Sequence, residues 1–199
     1  MLNKNKLNNL LLNHIDESLV KFSETKENLD KVYKIANFFI KKINNKKKIY
    51  VYGNGGSLAD SMHFVGELIS TYKKKNRKSL PFINLSTNIA SLTAWSNDFS
   101  YKNYIVRELS GLFKTGDVLV LISTSGGNLR KKQSLNLIEA AKYAEKKNID
   151  LISFLGSKGG VLKKYSKLSY IVNSNNTPVI QENHKLIFHL ISEILDNYY

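Results

Sequence analysis

Residues 48–57 read KIYVYGNGGS, an apolar and aromatic run that ends in Gly53-Asn54-Gly55-Gly56-Ser57. The run predicts a buried strand, and residues 57–71 behind it have the length and apolar content of a helix. Glycines without a Cβ let the backbone approach a ligand closely, and the free N–H groups at a helix start favour an anion. Strand, loop and helix therefore stand in the order of a phosphate-cradling turn. The loop has neither the spacing of GxGxxG nor the Gly-Lys-Ser/Thr ending of a P-loop, which disfavours a nicotinamide cofactor. Ser57 with Asp60 reads as a capping box, and a tight turn without a ligand is the plain alternative.

Similar apolar runs recur outward from this point: PFINLS (81–86), DVLVLIS (117–123), DLISFLG (150–156) and KLSYIV (167–172). Continuous apolar runs of this kind mark strands buried on both faces, as in parallel sheets. Segments 57–71, 101–113 and 133–147 are long enough for crossover helices, and 179–197 for a last helix. The alternation predicts a doubly wound α/β sheet. Ahead of it, Leu7, Leu10, Leu11, Ile15, Leu19 and Phe22 recur at helical spacing. Leu29, Val32, Ile35, Phe39 and Ile43 do so again after SETKE (23–27). The expected organisation is a helical extension over 1–45 and one α/β domain over 46–199.

Composition bounds the function. The 199 residues are 42% hydrophobic with no cysteine, which suits a folded chain and excludes disulfides, thiolate-held clusters and thiol nucleophiles. Thirty Lys and Arg against sixteen Asp and Glu give a formal charge of +14, so phosphorylated metabolites, nucleic acid and acidic membranes are all electrostatically eligible. No basic strand interleaved with aromatics and no helix-turn-helix pattern accompanies the charge, so no specific nucleic-acid partner is expected. No apolar run approaches the ~20 residues of a membrane span. The start, MLNKNKLNNLLLNHIDE, lacks a signal peptide's features, and a cytoplasmic location without a membrane partner is expected.

Further polar groups fall at the carboxyl ends of the predicted strands, where open α/β sheets bind ligands. Ser123-Thr124-Ser125-Gly126 offers hydroxyls and backbone N–H groups that suit a phosphate. Asn97-Asp98 follows the second strand and adds a carboxylate, with an Asx-turn as the plain alternative. His63 and Glu67, four apart on the first crossover helix, project from one face and could hold a metal or move protons. The last helix carries Gln181, Glu182, His184 and His189. Gln181 and His189 are separated by a rise of ~12 Å, and spacing alone does not choose between the two histidines.

The segments YGNGGSLADSMHFVGEL, WSNDFS, GDVLVLISTSG, ISFLGSKGG and IQENHKLIFH, in this order, resemble the SIS-domain phosphosugar proteins, and among them the sedoheptulose 7-phosphate (phosphoheptose) isomerases. The resemblance implies a flavodoxin-like sheet, a homotetramer with sites at subunit interfaces, and zinc. It implies His63, Glu67, Gln181 and His189 as metal ligands, selecting His189 over His184, and Glu67 and His189 as the acid/base pair. It implies Asn54, Gly55, Gly56, Ser57, Glu67, Asn97, Asp98, Ser123, Thr124, Ser125 and Gln181 as the substrate set. Gly127–Lys132 (GNLRKK) has no counterpart in the family pattern, so the later phosphate-binding serine is matched to Ser134, with Asn128 as the fallback. Thr71, Pro178 and Val179 depart from the charged residues usual at those places. The implied activity is conversion of D-sedoheptulose 7-phosphate to D-glycero-D-manno-heptose 7-phosphate for bacterial surface carbohydrate, lipopolysaccharide or capsule. The alternative is a non-enzymatic SIS protein that binds the bacterial replication initiator.

Overall fold

The computed structural model describes residues 3–199. Five parallel strands, β1 (Ile49–Gly53), β2 (Phe82–Asn84), β3 (Val118–Ser123), β4 (Asp150–Gly156) and β5 (Leu168–Val172), form one sheet in the order β2-β1-β3-β4-β5. This is the flavodoxin-like doubly wound order that the sequence predicts. The chain leaves β1 toward β2 on one side and returns to β3 on the other. The switch point therefore opens a crevice between the carboxyl ends of β1 and β3, where the glycine and hydroxyl loops begin.

Side chains alternate across the sheet with the period of two that a strand imposes. Ile49, Val51, Val118, Val120, Ile122 and Phe154 face a layer made by helices α2 (Leu29–Asn44), α3 (Gly56–Ile69) and α7 (Thr177–Tyr198). Tyr50, Tyr52, Leu119, Leu121, Leu151 and Leu155 face the opposite layer, built on α5 (Tyr104–Leu112) and α6 (Leu135–Lys146). Both faces are covered, which is why all six β3 residues are buried. Among the described residues no helix is long and apolar enough to cross a membrane.

One expectation is corrected. The first helix, α1 (Lys4–Glu27), runs through SETKE, and the break falls at Asn28. Thr25 inside it is buried, its hydroxyl donating to the Lys21 carbonyl and to Asn183 Oδ1, so a residue that resembles a helix breaker is absorbed by back-bonding and a tertiary contact. Helix α4 (Ile89–Asp98) lies in a segment to which the sequence reading assigns no element. None of its residues is fully buried, and of its apolar side chains Leu92 and Trp95 pack against the core, too few to set a readable period. Asn88 caps it by accepting from the Ser91 amide at 3.0 Å.

Candidate active site

Gly55 is the N-cap of α3 at φ +54°, a left-handed conformation suited to glycine. Ser57 is therefore not a cap: it is buried in the first turn, and its amide donates to the Asn54 carbonyl. Gly56 has a different reason to lack a side chain. A Cβ there would lie 2.1 Å from Gln181 Nε2, so the Gln181 amide rests directly on the start of α3. Asn54 is a strut between loops. Its amide exchanges bonds with buried Asn136, donating at 2.9 Å and accepting at 2.7 Å, and its Oδ1 also accepts from the Tyr101 hydroxyl at 2.8 Å. The glycine loop is thereby tied to the first turn of α6.

The hydroxyl loop folds on itself. Ser123 Oγ accepts from the Gly126 amide at 3.1 Å and Ser125 Oγ from the Gly127 amide at 3.2 Å. Thr124 and Ser125 face a cavity of about 330 Å³, together with Asn128 and, on the far wall, Ser157, Asn175 and Thr177. Ser134 stands at the start of α6 at φ +52° and is not among the lining residues, whereas the fallback Asn128 is. Asn97 and Asp98 occupy the last turn of α4, exposed, with Asn97 Nδ2 donating to Asp98 Oδ1 at 2.9 Å.

Helices α3 and α7 lie side by side and point the same way. Gly56 meets Gln181, Asp60 meets Lys185, and Phe64 stacks on Phe188 at 4.6 Å between ring centroids. Next along this seam, the His63 and His189 rings stand edge to face at 5.2 Å, and His63 Nε2 is 3.0 Å from Glu67 Oε1. One donor atom from each of His63, Glu67 and His189 lies within 4.8 Å of the others. Two imidazole nitrogens and a carboxylate oxygen, partly open to solvent, are a donor set that fits a catalytic divalent metal. Gln181, seated on Gly56, is two helical turns back along α3.

The two histidines of α7 have separate fates. His184 is wholly buried beside Phe154 and Phe188, and its Nε2 faces the Leu155 carbonyl at 3.3 Å. Burial lowers its pKa from 6.5 to about 4, so it is a neutral core residue at pH 7. His189 alone joins His63 and Glu67.

Sequence reasoning misses the support behind this group. Arg77, which stands in the lysine-rich stretch 73–78, has a fully buried side chain and donates to the carbonyls of Glu67 (2.7 Å), Leu68 (2.9 Å) and Ser70 (3.0 Å) at the end of α3. Nothing in a run of lysines around it signals that one cation is internal.

Comparison with known proteins places this architecture in a class. The SIS domain family model matches residues 12–156, and the chain is an SIS-domain protein. A phosphoheptose isomerase of Nitratiruptor sp. is 37% identical over 191 residues, covering 94% of this chain and 98% of the relative. One of Aliarcobacter butzleri is 40% identical over 182 residues, 91% of each chain. The phosphoheptose isomerase of Neisseria gonorrhoeae superposes with a TM-score of 0.85 at 31% identity, covering 96% of this chain and 99% of that one. The chain belongs to the phosphoheptose isomerase family, and it is an isomerase.

Proposed function

We propose that the chain interconverts D-sedoheptulose 7-phosphate and D-glycero-D-manno-heptose 7-phosphate through an enediol, supplying heptose for surface carbohydrate in the bacterial cytoplasm. The observation that carries the reading is the convergence of His63, Glu67 and His189 from the two parallel helices α3 and α7. Aldose–ketose exchange moves one proton between C1 and C2 and another between the two oxygens. Glu67 takes the C1 proton and returns it at C2, and His189 serves the oxygens. His63, Glu67 and His189 would hold zinc, whose positive charge when bound favours a developing oxyanion, while Gln181, implied as a fourth ligand, sits on Gly56 two turns away from them in the single chain. Thr124 and Ser125 bind the phosphate end by hydroxyl hydrogen bonds, and the Asn54–Asn136 strut holds the glycine loop against α6. Asn97 and Asp98 face sugar hydroxyls.

We also propose a homotetramer. Leu11, Ile15 and Leu19, on one face of α1, are each more than half exposed, an apolar stripe that a second copy would cover.

Purified protein incubated with sedoheptulose 7-phosphate, followed by NMR, should yield an aldoheptose 7-phosphate. Chelation should suppress the conversion, and added zinc should restore it. A substrate left unchanged by the zinc-supplied protein would overturn the assignment.

A further inference from the structure

The Gly127–Lys132 segment has no role in the chemistry above, yet it is an ordered piece of structure. Asn128 and Gln133 exchange two backbone hydrogen bonds, at 3.0 and 2.9 Å, closing the segment into a tight loop. Inside it the Lys131 amide donates to Asn128 Oδ1 at 3.0 Å, which fixes where the Lys131 side chain leaves the backbone. Lys131 lines the 330 Å³ cavity of the hydroxyl loop together with Ser157 and Thr177, while its neighbour Arg130 lines a separate cavity with Gly160 and Lys164.

The electrostatics of the cavity have one sign. Lys131 is the single charged residue of the lining, and no carboxylate faces it. Among the described residues Lys131 has no ion-pair partner. The nearby Glu17 is occupied by Ser174 Oγ and Asn176 Nδ2 and does not line the cavity. The opposite wall includes the start of the 22-residue helix α7. Its first turn has no acidic residue and its Asn176 cap makes no side-chain bond to the helix. A lysine, several hydroxyl-bearing residues and the positive end of a long helix therefore surround one volume.

The geometry points to Lys131 as a phosphate-binding residue of this chain: the extra loop adds a cation to a subsite otherwise made of hydroxyl and amide donors. The inference rests on the proposed reading of this cavity as the end that takes the phosphate monoester. It makes substrate capture charge-dependent and leaves the proton transfer at Glu67 untouched.

The test is steady-state kinetics with sedoheptulose 7-phosphate at low ionic strength, on the parent and on Lys131→Gln, Lys131→Arg and Arg130→Gln. Loss of a charged hydrogen bond should raise KM about tenfold or more in Lys131→Gln, with kcat within about twofold. Lys131→Arg should recover most of the KM, and Arg130→Gln should match the parent. Inhibition by inorganic phosphate should weaken in parallel with KM. Unchanged KM and unchanged phosphate inhibition in Lys131→Gln would overturn the role of Lys131 while leaving the isomerase standing. A parent that does not turn over the sugar would instead overturn the isomerase reading. Calorimetric binding of inorganic phosphate would still judge Lys131: weaker binding by Lys131→Gln supports it, and equal binding contradicts it.

Discussion

Arg77 and Asp196 form an ion pair with side chains only 0% and 2% exposed, Arg77 Nε donating to Asp196 Oδ1 at 2.8 Å. The other four guanidinium N–H groups are also used, on the carbonyls of Leu68, Lys78, Glu67 and Ser70. Asp196 Oδ2 accepts from the amides of Lys73 and Lys74. The pair thus joins the end of α3, one turn from Glu67, to α7 two turns beyond His189. It fixes the relation between the two helices that carry Glu67 and His189.

Removing one partner leaves a buried charge without compensation. Arg77→Met should lower unfolding free energy by about 3–5 kcal/mol, measured by urea denaturation at pH 7. Double substitution to apolar residues at 77 and 196 should recover part of this loss. A single substitution within about 1 kcal/mol of the parent would show that the clamp does not hold the helices.

Acid should act through His184. Its folded-state pKa is depressed to about 4 by burial against 6.5 for the free imidazole, so the unfolded chain binds the extra proton between these values. Stability is therefore intact above pH 6.5 and falls as pH drops toward 4, by a cost that saturates at about 3 kcal/mol. Thermal melts of the parent and His184→Leu between pH 7 and 4 check this. The variant should lose most of the slope, and identical slopes would contradict the buried neutral imidazole.

His184 and His189 should also separate in metal binding. His189→Ala should weaken zinc affinity by at least tenfold in competition with a chromogenic chelator, while His184→Ala should leave it near the parental value. Equal losses would contradict the division between a site histidine and a core histidine.

Assembly should depend on the apolar face of α1. Leu11→Lys with Leu19→Lys should shift sedimentation toward smaller species with the helical content retained, because both side chains are more than half exposed in the single chain. An unchanged sedimentation profile would remove α1 from the interface.

How much of this was legible in the sequence follows from what each segment is packed against. The strand runs are readable because β1, β3 and β4 are covered on both faces, and continuous burial leaves a continuous apolar record. Helix α4 leaves little, because none of it is fully buried and it sets only Leu92 and Trp95 against the core. His63 and Glu67 are readable as a pair because one helix carries both, but pairing them with His189 needs the parallel contact of α3 and α7. That contact also seats Gln181 on Gly56, which no spacing rule foretells. Arg77 is invisible for the opposite reason: five neighbouring positions are Lys or Asn, and burial of one cation depends on Asp196, which is 119 residues away.

The central claim is that Glu67 moves the proton between C1 and C2. Following the conversion of sedoheptulose 7-phosphate by proton NMR, with the zinc-supplied parent and a Glu67→Gln variant of equal helical content, tests it most directly. Removal of a general base should slow conversion by about 10²–10⁴-fold. Aldoheptose phosphate appearing at the parental rate with Glu67→Gln would contradict the account.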